Sequence, residues 1–335
     1  MKSADALGAL RAGAHLGCAD SRALFGELLA GRVAEAEVAE LLLALAARGE
    51  NAEEIAGAAQ AMRGAMRPFE HSHPEAVDTA GTGGDGLGLF NLSTAAALVA
   101  AAAGARVIKH GNRAASSRCG SADLLEAAGV RIDPAPERSR ELLDELGICF
   151  LYAPAYHPAL KRLAPLRKAL RTRTVFNLLG PLCNPGGVRR QLVGVAQREL
   201  VPVFADVLLE LGNECAYVVH GAGGADELTL CGENRICRLG FGVPDGLDAI
   251  ASGLARAPLA ALRGGETGAN LKLLERVLSG AEGPLADAVL LNATAALMLT
   301  GRHSSADALA QARQALASGA AQRLLERWIE LSNRN

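Results

Sequence analysis

Between Asp78 and Glu126 the chain carries two glycine-rich loops in succession, Gly-Thr-Gly-Gly-Asp-Gly at 81 to 86 and Lys-His-Gly-Asn-Arg at 109 to 113. In the first loop no bulky side chain precedes Leu87, so its backbone N–H groups are free to close on anionic oxygens. Asn91, Ser93 and Thr94 then open an Ala-rich helix, whose N-terminus is itself an anion site through its unpaired N–H groups and dipole. Lys109 ends a predicted strand, where ligands of open α/β sheets lie, and its ammonium can pair with phosphate there. The small polar tract after it, from His110, Asn112 and Arg113 through Ser116, Ser117, Gly120 and Ser121, is hard to explain as packing. The pairing of loops suggests a polyphosphate held beside a second substrate.

Two acidic features bear on the same site. Asp85 lies inside the first loop, where a carboxylate repels phosphate unless it faces a ribose hydroxyl or a metal. Asp226 and Glu227 follow the glycine run at 221 to 224; adjacent carboxylates can share magnesium, which takes carboxylate, water and substrate phosphate oxygens, although such a pair taken alone is usually surface. Gly81, Gly83 and Gly86 also satisfy the dinucleotide fingerprint, but about 20 positions later the chain has Arg106 and Lys109 where an acid would hold a ribose, which argues against a nicotinamide cofactor. His157 and His220 lack cysteine or carboxylate partners at metal-ligand spacing. Neither a nucleophile elbow nor a Cys/His dyad is visible.

The elements that must position these residues follow from periodicity. From about Ala6 to Met66 apolar residues recur at helical spacing, as in Leu24, Leu28, Leu29 and Val38, Leu41, Leu42, Leu45, which predicts a bundle of short helices. After the break at 71 to 74 the pattern becomes strand, loop, helix: strands at 76–80, 105–109, 148–153, 192–196 and 215–220, with helices at 91–103, 121–128, 136–146, 157–170 and 199–211 and a helical stretch over 270–329. Such alternation implies a parallel sheet. The helix at 157–170 is a helical excursion able to rejoin the N-terminal bundle.

Composition sets the outer limits. With 335 residues, half of them apolar, a sizeable core is possible. Lys plus Arg number 34 against 36 Asp plus Glu, so no overall positive field is available for nucleic acid or an anionic membrane, and phosphate binding must be local. Seven scattered cysteines with no Cys-x-x-Cys pair argue against a disulfide framework or a zinc site and for a reducing cytoplasm. The sequence shows neither a signal peptide nor a membrane span.

Several long motifs in order then identify a resemblance: GTGGDGLGLFNLST (81–94), VIKHGNRAASSRCGSADLLEAAGV (107–130), HPALKRLAPLRKAL (157–170), RTVFNLLGPLCNP (173–185) and HGAGGADEL (220–228). Over essentially its whole length the chain resembles the anthranilate phosphoribosyltransferases of tryptophan biosynthesis. The resemblance implies an α/β protein with a small all-helical domain, residues 1–70 with the helices of 155–182 packed onto it. A large domain, 71–154 and 183–335, carries a mainly parallel central sheet flanked by helices. It implies transfer of the phosphoribosyl group of phosphoribosyl pyrophosphate to the amine of anthranilate, two magnesium ions, and a homodimer formed through the small domain. Carried over by motif, Gly81, Gly84, Asp85, Asn91, Ser93, Thr94, Lys109 and Ser121 hold the donor. Gly81, His110, Asn112, His157, Arg167 and Gly180 line the anthranilate path, Arg167 as a fork for the carboxylate, and Ser93, Asp226 and Glu227 hold magnesium. No general acid or base is assigned, because a neutral arylamine attacks as it stands.

The chain departs from the family pattern at Arg171, where a glycine is common, and at Leu89, Cys119 and Ala225; each adjoins a binding residue without removing one. Two other readings stand beside the transferase: a pyrimidine nucleoside phosphorylase of the same architecture, and a non-catalytic relative that binds nucleic acid. Lys-His-Gly-Asn-Arg at 109 to 113 and the Asp226–Glu227 pair favour the transferase over the first; Lys109, Asp226, Glu227 and the near-zero net charge speak against the second.

Overall fold

The computed structural model describes residues 3–114, 117–240 and 253–334. Helices α1 (Ser3–Arg11), α2 (Cys18–Ala30), α3 (Glu35–Arg48) and α4 (Ala52–Ala65) form the N-terminal bundle. The tightest pair is α2 with α4, and the reason is Gly57: a Cβ there would lie 2.4 Å from the Cys18 carbonyl oxygen and 2.6 Å from the Ser21 Cβ. A capping box between Asn51 and Glu54 starts α4. Buried Glu54 also accepts the Leu16 N–H at 2.9 Å and pairs with Arg48, so one carboxylate ties three segments of the bundle.

Six strands, β1 (Val77–Gly81), β2 (Val107–Gly111), β3 (Ile148–Tyr152), β4 (Arg190–Gly194), β5 (Cys215–His220) and β6 (Arg235–Leu239), form one sheet in the order β3-β2-β1-β4-β5-β6. All neighbours are parallel except β5 and β6. Between the strands run α5 (Leu92–Ala102), α6 (Ser121–Ala127), α7 (Pro136–Leu146), a single turn α8 (Ala153–Tyr156), α9 (Leu160–Leu170) and α10 (Leu200–Glu210). After β6 come α11 (Thr267–Leu278), α12 (Pro284–Met298), α13 (Ser305–Ala317) and α14 (Ala320–Ser332). A small helical unit followed by a mainly parallel sheet is the fold class the sequence led us to expect; the antiparallel edge strand β6 was not anticipated.

On one face of the sheet α5 packs against α12, which is buried on every side from Ala288 onward; the small alanines of α5 permit the close approach. On the other face α10 covers Val193, Ala216 and Val218, and these join a single buried apolar cluster with Leu24, Leu28 and Ile55 of the bundle. Leu163 and Leu166 of α9 and Phe176 belong to that same cluster. Arg63 of α4 donates to the Leu182 carbonyl at 2.7 Å and crosses to the α/β unit by donating to the Leu211 carbonyl at 3.3 Å.

Candidate active site

The strand order sets where ligands go. From β1 the chain runs outward through β2 and β3, then returns to β4 on the other side of β1 and runs out through β5 and β6. The switch point therefore falls between β1 and β4, and the crevice beyond their carboxyl ends is where open α/β sheets bind ligands. Both strands end there in glycine, Gly81 paired with Gly194. A Cβ on Gly81 would lie 2.1 Å from Asp226 Oδ2, and one on Gly194 would lie 1.5 Å from the Asp226 carbonyl oxygen. The two glycines make the notch that seats Asp226.

The first loop leaves this notch with Gly83 and Gly84 in the left-handed region, φ 68° and 82°, which glycine adopts at no steric cost. The Gly83 N–H donates to Asp226 Oδ2 at 2.6 Å, while the N–H groups of Gly84, Asp85 and Gly86 have no acceptor among the described residues. Asp85 turns back on itself, accepting the Leu87 N–H at 3.0 Å, and stands close enough to Asp226 to repel it. Burial and then Asp85 raise the Asp226 carboxyl above its ordinary range. Burial and then Asp226 do the same to Glu227, with Lys109 and the Ser93 backbone N–H working against the rise; its Oε2 is buried without a hydrogen-bond partner.

The only lysine in this group is inside it. Lys109 is 2% exposed; its ammonium donates to the Thr79 carbonyl at 2.6 Å and to Ser93 Oγ at 3.4 Å. Burial pulls its pKa down, and the carboxylates of Asp78 and Glu227 work against that fall. Asp78, fully buried, accepts from Asn184 Nδ2 at 2.8 Å and from the His110 N–H at 3.4 Å. Sequence reasoning missed Asp78 and Asn184. The available signal was a lone carboxylate in an otherwise apolar strand just before the glycine loop.

These residues fit a magnesium site. Three carboxylates, Asp85, Asp226 and Glu227, are pressed together with Lys109 as their buried cation, and one carboxylate oxygen is orphaned. Among the described residues no three His, Cys, Asp or Glu groups could enclose a metal alone. Magnesium bound there would complete its shell with water and substrate phosphate oxygens.

Successive strand residues face opposite sides of a sheet, so Lys109 points toward α5 and His110 toward the other face. There His110 and His157 stack at a tilt with ring centroids 5.1 Å apart. The Gly180 carbonyl, 3.2 Å from His110 Nδ1, only accepts, so Nδ1 carries the proton. His110 Nε2 is then left to accept from His157 Nε2 at 3.2 Å, which assigns both tautomers. Burial pushes the His110 pKa down to about 3 and that of His157 to about 4, so both rings are neutral at pH 7. Asn112 is exposed beside them, its Oδ1 accepting the Arg113 N–H and its carbonyl accepting from Ser121 Oγ at 3.3 Å.

Arg167 stands apart on α9, half-buried, with its guanidinium 5.4 Å over the Phe176 ring. Burial lowers its pKa and no carboxylate pairs with it among the described residues. Asn91 donates to the Cys119 carbonyl at 3.0 Å and accepts from Asn270 at 2.8 Å, which uses one of its two amide hydrogens. Thr94 Oγ1 is buried with no partner. His220 is a satisfied strand-end histidine, its Nδ1 2.9 Å from the Val195 carbonyl. It lines a cavity of about 350 Å³ with Arg198, Gly223, Glu233 and Arg235, positive charge beside the Asp226 turn that the sequence did not announce. Ser116 lies outside the described residues.

The chain matches the family model of the glycosyl transferase α/β domain over residues 73–322 and that of the glycosyl transferase helical bundle domain over residues 4–66. Fold and site thus define a glycosyl transferase of the bundle-plus-sheet kind. It is 46% identical over 318 residues to the anthranilate phosphoribosyltransferase of Novosphingobium aromaticivorans, covering 93% of this chain and 95% of that one. The crystal structure of the anthranilate phosphoribosyltransferase from Thermus thermophilus superposes with a TM-score of 0.90 at 47% identity, covering 98% and 100% of the two chains. The Saccharomyces cerevisiae enzyme in complex with PRPP and Mg does so with a TM-score of 0.87 at 27% identity, covering 98% and 97%. The chain belongs to the anthranilate phosphoribosyltransferase family.

Proposed function

We propose that this protein transfers the phosphoribosyl group of phosphoribosyl pyrophosphate to the amine of anthranilate, releasing pyrophosphate, a step of tryptophan biosynthesis. The observation that carries the reading is the placement of two chemically opposite sites on one strand. Lys109 faces an acidic, glycine-lined crevice with free backbone N–H groups, and the next residue, His110, faces a neutral imidazole pair.

In this reading the N–H groups of Gly84 and its neighbours, with Asn91, Ser93, Thr94, Lys109 and Ser121, receive the donor, and Asp85 faces its ribose. Ser93, Asp226 and Glu227 hold magnesium, two ions by our assignment, which when bound neutralises diphosphate charge and favours its departure. Lys109 places a fixed positive charge at the crevice floor before the reaction begins, so no reorganisation is needed as charge develops. Arg167 supplies a planar fork to the anthranilate carboxylate. His110 and His157, neutral because they are buried, line the path with Gly180 and Asn112 and leave the amine unprotonated, the form in which it attacks. Holding donor and acceptor side by side at the carboxyl end of β2 turns a bimolecular encounter into an oriented one.

We further infer that residues 1–70 with 155–182 act as one helical unit against the remainder, supported by Arg162 of α9 donating to the Leu28 carbonyl of α2 and by Phe176 packing edge-on against Phe25. A homodimer through that unit and a cytoplasmic setting complete the proposal; among the described residues no helix is long and apolar enough to cross a membrane. The test supplies the purified protein with magnesium and either phosphoribosyl pyrophosphate plus anthranilate or pyrimidine nucleoside plus inorganic phosphate. Formation of the N-linked phosphoribosyl adduct of anthranilate, identified by mass, is the expected result; base release from the nucleoside with no adduct contradicts it.

A further inference from the structure

Helix α9, which carries Arg167, has little intrinsic reason to be a helix. It begins after Ala159 with no side-chain cap, contains Pro165, and ends at Arg171 with φ 50°, the left-handed region that disfavours a side chain. Lys161 and Arg162 lie in its first turn with no acidic residue there, the end where the helix dipole repels cations. Its fold therefore rests on contacts from outside.

Those contacts come from the bundle. Leu163 and Leu166 are buried in its apolar cluster. The guanidinium of Arg162 reaches the C-terminus of α2, donating through Nη2 to the Leu28 carbonyl at 2.9 Å and the Leu29 carbonyl at 3.5 Å. The Leu28 carbonyl also accepts the Gly31 N–H at 3.1 Å, so Arg162 adds a second donor at the end of α2, where the last carbonyls run out of helical donors. The seat exists because residue 31 is glycine: a Cβ on Gly31 would lie 1.5 Å from Arg162 Nη1. The same helix α2 supports the other end of the arrangement, since Phe25 packs edge-on against Phe176 at 5.9 Å, and Phe176 carries the Arg167 guanidinium on its face.

We infer that Arg162 is a positioning residue of the acceptor site: by clamping α9 to the end of α2 it fixes where Arg167 presents its fork, and so sets affinity for the aryl carboxylate without touching it. The inference rests on the reading of Arg167 as that fork. It predicts a split between substrates. Arg162→Met keeps the apolar stem and removes the donors; Gly31→Ala keeps the charge and expels it from its seat. Each should raise the KM for anthranilate about fivefold or more while the KM for phosphoribosyl pyrophosphate and kcat stay within about twofold, since misplacing a binding group weakens the substrate it holds. Arg162→Lys, which still donates to the carbonyls, should recover part of the loss. A purely structural role would lower the unfolding midpoint without separating the two substrates. An unchanged anthranilate KM in either folded variant, or an equal rise for both substrates, overturns the inference. If Arg167→Ala raises the anthranilate KM and these variants do not, the inference falls and the proposed function stands. If Arg167→Ala leaves that KM unchanged, the fork reading falls and this inference falls with it.

Discussion

Replacing Asp78 by asparagine is the perturbation that bears most on how the donor crevice is held. In the native protein the two carboxylate oxygens of Asp78 accept from different donors, Asn184 Nδ2 at 2.8 Å and the His110 N–H at 3.4 Å. An amide of the same shape accepts through one oxygen only, so one donor then faces an NH2 group, at a cost of about 1–3 kcal/mol for a buried unsatisfied group. The larger loss is electrostatic. Lys109 is buried and its charge is supported by Asp78 and Glu227 against a desolvation that already lowers its pKa. Removing one partner of a buried pair costs about 3–5 kcal/mol with its unmet hydrogen bonds included, a large part of a native stability of roughly 5–15 kcal/mol. Asp78→Asn is therefore expected to lower stability by about 3–5 kcal/mol, with Lys109→Met lowering it comparably and the double variant by clearly less than the sum. Urea unfolding followed by the fluorescence of Trp328, the one tryptophan, 1% exposed on α14, gives the four corners of the cycle. Additive costs, within about 0.5 kcal/mol, would refute the claim that Asp78 holds the charge of Lys109.

Three further outcomes follow from other parts of the molecule. His110 and His157 have folded pKa values of about 3 and about 4 against an ordinary 6.5, so on acidification the unfolded chain binds their protons first. Stability from keeping them neutral is complete above pH 6.5 and is lost as pH falls toward those folded values, about 2 kcal/mol for each ring by pH 5. The drop in urea midpoint from pH 7.5 to 5.0 should accordingly be smaller in His157→Gln than in the wild type, and an equal drop contradicts the buried neutral pair. Arg171→Gly relieves a side chain at φ 50° and should raise stability by about 0.5–1 kcal/mol; a lower unfolding midpoint would mean that the exposed Arg171 makes a contact worth more than its strain. Gly57→Ala should cost about 1–3 kcal/mol through overpacking against Cys18 and Ser21, whereas a gain of about 1 kcal/mol, the helix-propensity difference alone, would show that α2 and α4 separate easily.

The sequence was most legible where function depends on backbone. The glycine loops at 81–86 and 109–113 announced an anion site because the absence of side chains is itself visible, and the strand-helix rhythm announced a parallel sheet. Strand β4 begins at Arg190, two residues before the apolar run at Leu192, because Arg190 and Gln191 find partners in the Thr300 and Pro181 carbonyls. Strand β6 escaped notice because an edge strand pairs on one side, and Arg235 and Arg238 leave it no apolar run. In the site, Lys109 was placed at a strand end facing phosphate; its ammonium is turned inward to Thr79 and Ser93. That orientation depends on Asp78 and Glu227, residues 31 and 118 positions away in sequence, and no local pattern encodes such a pairing. The Asp226 notch was hidden for the same reason, since it needs Gly81 and Gly194 on neighbouring strands.

The most direct measurement is the loss of anthranilate fluorescence with purified protein, phosphoribosyl pyrophosphate and magnesium, with pyrophosphate release followed in parallel, repeated for Asp226→Asn/Glu227→Gln. The account predicts magnesium-dependent loss matched mole for mole by pyrophosphate in the wild type, and turnover lower by orders of magnitude in the folded double variant. No loss from folded wild-type protein, or undiminished turnover in the double variant, would contradict it.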